Sequence, residues 1–114
     1  MISIVVPVYN EEESLEGFYK ELVSVVLLLD KNYEIIFVDD GSKDKSLDIL
    51  KGISSKNRNV KIFSFRINQG KSEALTYGFG KSSGDYIVTL DADLQDKPSE
   101  ISKLLNKIKK EGFN

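Results

Sequence analysis

Cysteine and histidine are both absent from this chain of 114 residues. The first absence excludes disulfides and thiolate chemistry, and the second excludes an imidazole base or a histidine-held zinc site. Any acid, base or metal ligand must therefore be an oxygen-bearing side chain or a lysine. Long hydrophobic runs are missing as well. The longest, LVSVVLLL at 22–29, is too short to cross a bilayer and begins no signal peptide. Nor is there an excess of one charge: 16 basic residues stand against 18 acidic ones, a net −2. No cluster of arginine and lysine marks a nucleic-acid footprint, so no nucleic-acid partner is expected. What remains, 40% hydrophobic and 30% charged residues, suits a single modest domain of cytoplasmic character.

Periodicity and punctuation give the order of elements. ISIVVPV at 2–8 is dense in β-branched residues and reads as a strand buried on both faces, with Pro7 near its end where a missing N–H is tolerable. A helix follows, with Asn10 and Glu13 spaced as a capping box and Leu15, Phe18, Tyr19, Leu22, Val25, Val26 and Leu29 on its apolar side. The second strand is YEIIFVD at 33–39. Ser42 is placed to cap the second helix, whose inner side is Leu47, Leu50 and Ile53. VKIFSF at 60–65 is the third strand, and the helix after it carries an inward stripe of Ala74, Leu75, Gly78 and Phe79. DYIVTLD at 85–91 is the fourth strand, and Pro98 opens a last helix with Ile101, Leu104, Leu105 and Ile108 at helical spacing. Alternating strands and helices predict an α/β fold, a three-layer α/β/α sandwich around a mainly parallel sheet with right-handed crossovers.

Ligands of such sheets collect at the carboxyl ends of the strands. The unusual residues lie there: PVYNEE after the first strand, DDGS after the second, FRINQGK after the third and LDADLQD after the fourth. In the last of these, Asp91 and Asp93 alternate with the small Ala92 and point toward a common side. Two such carboxylates repel, and magnesium or manganese bridging substrate phosphates relieves the charge, with Gln95 adding a neutral oxygen. The alternative is a solvated turn in which Asp93 or Asp96 caps the next helix. Asp39 and Asp40 either accept hydrogen bonds from a base or ribose, or merely turn the chain with Gly41 and Ser42. Glu11 shares that ligand role or sits in a helix's first turn. Arg66 and Lys71 flank INQG and could balance a diphosphate, or be solvated. Tyr9 borders a base pocket or covers the sheet edge. The dinucleotide fingerprint and the phosphate-loop pattern are both missing.

Taken together, VVPVYNEEESL, FVDDGSKDKS and NQGKSEALTYGFGKSSGDYIVTLDADLQDKP resemble the nucleotide-binding half of an inverting family 2 glycosyltransferase, particularly the subgroup that transfers sugars to dolichyl or polyprenyl phosphate. The resemblance covers nearly the whole chain and implies a GT-A type, Rossmann-like fold over residues 1–114. It implies that Pro7, Tyr9, Glu11, Asp39 and Asp40 bind the base and ribose of a nucleoside diphosphate sugar of UDP or GDP type, with Lys71 beside the nucleotide. Asp91, Asp93 and Gln95 would hold Mg2+ or Mn2+ against the diphosphate. The sequence departs from the family pattern at Ser99, which follows Pro98, and at Asn68, which follows Ile67. Such enzymes continue into an acceptor-binding half that carries the usual base region. The resemblance therefore implies an amino-terminal fragment that binds donor without turning it over, from a protein at the cytoplasmic face of a membrane, and an exposed sheet edge open to self-association. A phosphoreceiver domain, a nucleotidyltransferase and a non-catalytic α/β binding domain are the competing readings. A receiver would place its paired acids after the first strand, whereas here they follow the second.

Overall fold

A computed structural model of the chain describes residues 1–92 and Lys103. Strands β1 (Ile2–Val8), β2 (Tyr33–Asp39), β3 (Val60–Ser64) and β4 (Tyr86–Thr89) form one parallel sheet in the order β3-β2-β1-β4. Helices α1 (Leu15–Leu29), α2 (Ser46–Lys56) and α3 (Lys71–Lys81) are the crossovers. The expected α/β/α sandwich is what forms. No helix among the described residues is long and apolar enough to cross a membrane. The helix expected from Pro98 onward lies outside the described residues.

The two-residue period of the strands assigns each side chain to a layer. Ile4, Ile35 and Val88 stand opposite one another, as do Val6 and Phe37. All of them are buried against Leu15, Phe18, Leu22 and Val26 of α1 and Leu50 of α2. Val5, Ile36 and Val38 face the other way and pack on Ala74 of α3. α3 lies close enough that a Cβ at Gly78 would overlap Val5 Cγ1, so only glycine fits there. That close approach centres the α3 contact on Ala74 and Gly78. Phe79, expected inward, is turned out and exposed, while Leu75 packs at the margin.

Helix starts also differ from the sequence reading. α1 begins at Leu15 after Ser14, not within a capping box of Asn10 and Glu13. Asn10 instead has φ +52° and accepts the Lys43 N–H on its side-chain oxygen. Likewise α2 begins at Ser46, and Ser42 is not its cap, because the Ser42 hydroxyl accepts the Asn10 N–H. Residues with capping chemistry are here used between loops rather than within helices.

At the amino edge of the sheet a charge is buried. Glu34 is 3% exposed on β2 and faces the α3 side, where no apolar partner would tolerate it unpaired. Its carboxylate accepts bonds from Lys61 Nζ at 2.8 Å, Ser3 Oγ at 2.5 Å and the Ser83 N–H at 2.6 Å. Ser3 Oγ in turn accepts the Gly84 N–H at 2.8 Å, and a Cβ at Gly84 would lie 2.5 Å from that oxygen. This network joins three strands to the turn between α3 and β4. Burial alone would raise the Glu34 pKa. The bonds from Lys61, Ser3 and Ser83, with the Lys61 charge, outweigh it and hold the group below its ordinary value of 4.5.

A depressed folded-state pKa contributes stability above the unfolded value, which is lost as the pH falls through the folded one. Urea unfolding followed from about pH 7 to about pH 3 should therefore show Glu34→Gln with a shallower acid loss than the parent. At neutral pH, Glu34→Ala should cost roughly 2–3 kcal/mol, since buried donors and the Lys61 charge lose their acceptor. Equal acid slopes in Glu34→Gln and parent would contradict the assignment.

Candidate functional site

The strand order reverses direction at β1, whose neighbours β2 and β4 lead to opposite halves of the chain. Such a switch point opens a crevice at the carboxyl ends of the strands. Pro7 enlarges it. The Leu90 N–H donates to the Val5 carbonyl, and the Asp40 N–H donates to the Val8 carbonyl. Because backbone polar groups alternate sides along a strand, Val5 and Pro7 face β4 while Val6 and Val8 face β2. Pro7 has no N–H to continue the ladder toward β4, and pairing ends at Val5 with Thr89. Beyond that pair the two strands stop being bonded.

The segment after β1 is laced to the segment after β2. The N–H groups of Asn10, Glu11 and Glu12 donate to Ser42 Oγ at 2.9 Å, Ser46 Oγ at 2.8 Å and Asp44 Oδ2 at 3.2 Å. Lys43 N–H returns a bond to Asn10 Oδ1 at 2.8 Å. Ser46 is fully buried, although it lies in the first turn of α2. Desolvation pushes the Asp44 pKa up, but hydrogen bonds from Ser46 and the Glu12 N–H prevail and hold it below its ordinary range.

The two aspartates after β2 behave differently. Asp40 Oδ1 accepts the Gln69 N–H at 2.7 Å, and its Oδ2 accepts the Gly70 N–H and Asn68 Nδ2, both at 3.0 Å. Asp40 is thus the clamp for the loop after β3. Gly41 makes the clamp fit: its φ is +72°, and a Cβ there would stand 2.5 Å from backbone atoms of Ile67 and Asn68. Asp39, 1% exposed, accepts the Ser42 N–H at 3.3 Å and Ser64 Oγ at 3.5 Å on Oδ2. Its Oδ1 is buried with no hydrogen-bond partner among the described residues.

The clamped loop delivers Lys71, the first residue of α3, to the crevice. Lys71 Nζ stands 2.6 Å from Asp91 Oδ1, just past the end of β4. Pro7, Tyr9, Glu11, Asp40, Lys71 and Asp91 all line one open pocket of about 220 Å³, with Val8 and Ala92. Six of the residues singled out from sequence therefore meet on one wall. Asp39 lies outside that lining, as does Arg66. Glu11 precedes α1 rather than sitting in its first turn, and its carboxylate accepts Ser14 Oγ at 2.9 Å. Asp93 and Gln95 lie outside the described residues, and no group of three or more acidic residues suited to a metal occurs among the described ones. Sequence reading missed the supporting cast of Asn10, Asp44, Ser46, Asn68 and Gln69. Of these, Asn10 carries a signal in the sequence, but its spacing with Glu13 points to local capping instead.

Comparison with known proteins gives this pocket a context. The model of Glycosyl transferase family 2 matches residues 3–114. Undecaprenyl-phosphate 4-deoxy-4-formamido-L-arabinose transferase of Yersinia pestis (strain Pestoides F) is 41% identical over 114 residues, covering 99% of this chain and 35% of its own. Among solved structures, S. aureus TarS 1-349 in complex with UDP superposes with a TM-score of 0.66 at 25% identity, covering 90% of this chain and 32% of that one. Glucosyl-3-phosphoglycerate synthase from Mycobacterium tuberculosis, in complex with Mn2+, UDP and glucosyl-3-phosphoglycerate, gives 0.61 at 30% identity, covering 81% of this chain and 33% of that one. The chain spans about a third of the length of the curated relatives it matches.

If Asp40 and Gly41 position the loop that presents Lys71, their loss should read as instability. Asp40→Asn replaces one acceptor oxygen with an amide NH2 that faces existing N–H donors and should cost roughly 1–3 kcal/mol in thermal or urea unfolding. Gly41→Ala should cost at least as much and raise hydrogen exchange at residues 66–70. Unchanged stability and exchange in both variants would mean that the loop is held by other contacts.

Proposed function

The chain belongs to glycosyl transferase family 2, and from that premise we propose that it forms the donor-binding part of an inverting enzyme that moves a sugar from a nucleoside diphosphate, of UDP or GDP type, to an acceptor. The observation that carries this reading is the meeting of Asp91 with Lys71 in the switch-point pocket, beside Tyr9, Glu11 and Asp40. An acid that can hold a cation and an ammonium that can meet phosphate oxygens are the two kinds of group that a metal-bridged diphosphate uses, and both stand at the carboxyl edge.

A divalent cation fits these residues. Lys71 already places a positive charge against Asp91 Oδ1, and the donors at hand are hard oxygens without histidine or cysteine. Asp91, with Asp93 and Gln95 from the adjoining sequence, would hold Mg2+ or Mn2+. Bound there, the ion would stabilise the negative charge that develops on the departing diphosphate. The remaining work falls to the chain itself. Tyr9 and Pro7 give the pocket a wall for a base, while Asp39 is buried outside the lining and supports the corner after β2. Lys71 supplies a mobile ammonium for the diphosphate oxygens. Asp40 acts through the loop it clamps, since both of its oxygens accept bonds from that loop.

The acceptor we propose for the whole protein is a polyprenyl phosphate, presented at the cytoplasmic face of a membrane. The name of the Yersinia pestis relative supports this choice. A lipid phosphate already offers an anionic oxygen, so the demand for a dedicated general base is relaxed.

Calorimetry should find weak Mg2+ or Mn2+ binding alone and tighter binding of UDP or GDP when the metal is present than in EDTA. Asp93→Asn should diminish that coupling more than Asp96→Asn. Identical nucleotide affinities with and without metal, in a folded sample, would reject the metal-bridged reading. Equal losses in the two variants would reject the separate roles of Asp93 and Asp96.

A further inference from the structure

Among the described residues three carboxylates line the pocket, and each is engaged differently. Asp40 accepts three bonds from the loop at 68–70, and Glu11 accepts the Ser14 hydroxyl. Asp91 alone of the three holds a cation, the Lys71 ammonium. The pair is open to water, with the Lys71 side chain 61% and the Asp91 side chain 51% exposed. Its anchors are unlike its tips. Lys71 leaves from a helix start fixed by Asp40 and Gly41, while its four-carbon stem lets Nζ pivot.

Resting on the nucleotide-diphosphate reading above, we propose that Lys71 is a resident counter-ion of Asp91 that changes partner during donor binding. With no donor bound, the ammonium neutralises Asp91. When a divalent cation and a nucleoside diphosphate enter, Asp91 is taken over by the metal and Lys71 moves to the diphosphate oxygens. Two cations sharing one carboxylate oxygen repel, so the ammonium has to leave, and the diphosphate is the anion that arrives with the metal. The exchange costs little, because an exposed ion pair is weak.

Cooperativity follows. Metal alone must displace the Lys71 ammonium into water without a new anion to hold it, and nucleotide alone meets a lysine still held by Asp91. Together each ligand releases the group that the other needs. Because coupling between two ligands is reciprocal, metal and nucleotide must raise one another's affinity by the same factor. Lys71 is then a determinant of obligatory joint binding, beyond its proximity to the nucleotide.

The test uses the full chain, Mn2+ followed by electron paramagnetic resonance, and UDP and GDP followed by calorimetry. Lys71→Gln frees Asp91 and should bind Mn2+ alone roughly two- to five-fold tighter than the parent, the range that an exposed ion pair allows. Asp91→Asn frees Lys71 and should bind nucleotide in EDTA tighter by a similar factor, yet weaker than the parent in Mn2+. The gain of Asp91→Asn should vanish in a Lys71→Gln background. A gain of equal size in that background would assign the effect to simple charge repulsion by Asp91 and overturn the exchange. Unchanged or weaker Mn2+ binding in Lys71→Gln would overturn it too. Failure of the parent chain to bind either nucleotide with Mn2+ would overturn the donor-site reading and the exchange with it, and it would be seen before any variant is made.

Discussion

Three consecutive backbone N–H groups, those of Asn10, Glu11 and Glu12, leave the end of β1 with no strand or helix to receive them, and Ser42, Ser46 and Asp44 take them in turn. The rest of the carboxyl edge depends on that lacing. It fixes the segment bearing Tyr9 and Glu11 to the segment after β2. Asp40 then fixes the segment after β2 to the loop after β3, and that loop carries Lys71 to Asp91 at the end of β4. Side-chain acceptors meeting backbone donors thus run along the rim from strand to strand. The step to β4 is different, for it is an ion pair between two half-exposed side chains.

The opposite edge is built on another plan. Glu34 is buried, and its three donors come from β1, β3 and the turn before β4, so the amino ends of all four strands converge on one carboxylate. Losing any one partner leaves a charge or a donor stranded away from water, which makes the network costly to loosen. The two edges therefore differ in what they permit. The amino edge buries the carboxylate of its ion pair and leaves the Lys61 amine half-exposed, whereas the carboxyl edge keeps both Lys71 and Asp91 accessible.

Much of this was legible in the sequence because hydrophobic period is a direct imprint of layers. The β-branched runs at 2–8 and 33–39 became strands with those bounds, and Leu15, Phe18, Leu22 and Val26 became the buried face of α1. The polar strand ends were legible too, since six of the residues picked from them line a single pocket. Helix starts were not. Asn10 and Ser42 have the chemistry of local caps, and nothing in their spacing tells that each would bond the other's loop instead. The contrast between Asp39 and Asp40 was equally hidden, because adjacent identical side chains differ only in what the fold brings to them. Phe79 shows the same effect in packing: the close approach at Gly78 decided which side of α3 faces the sheet.

The pocket wall is drawn from positions 7 to 9, 11, 40, 71, and 91 to 92, which come from the ends of three strands and the start of α3. No contiguous part of the chain contains enough of it to offer a ligand a foothold, and a partly folded species that has docked β1 on β2 still lacks both Lys71 and Asp91. A molecule that recognises this wall consequently discriminates between the finished chain and every precursor on the way to it. By mass action such a molecule would shift the global unfolding equilibrium rather than merely quieten one loop. Occupancy of the crevice and completion of folding are two readings of one event.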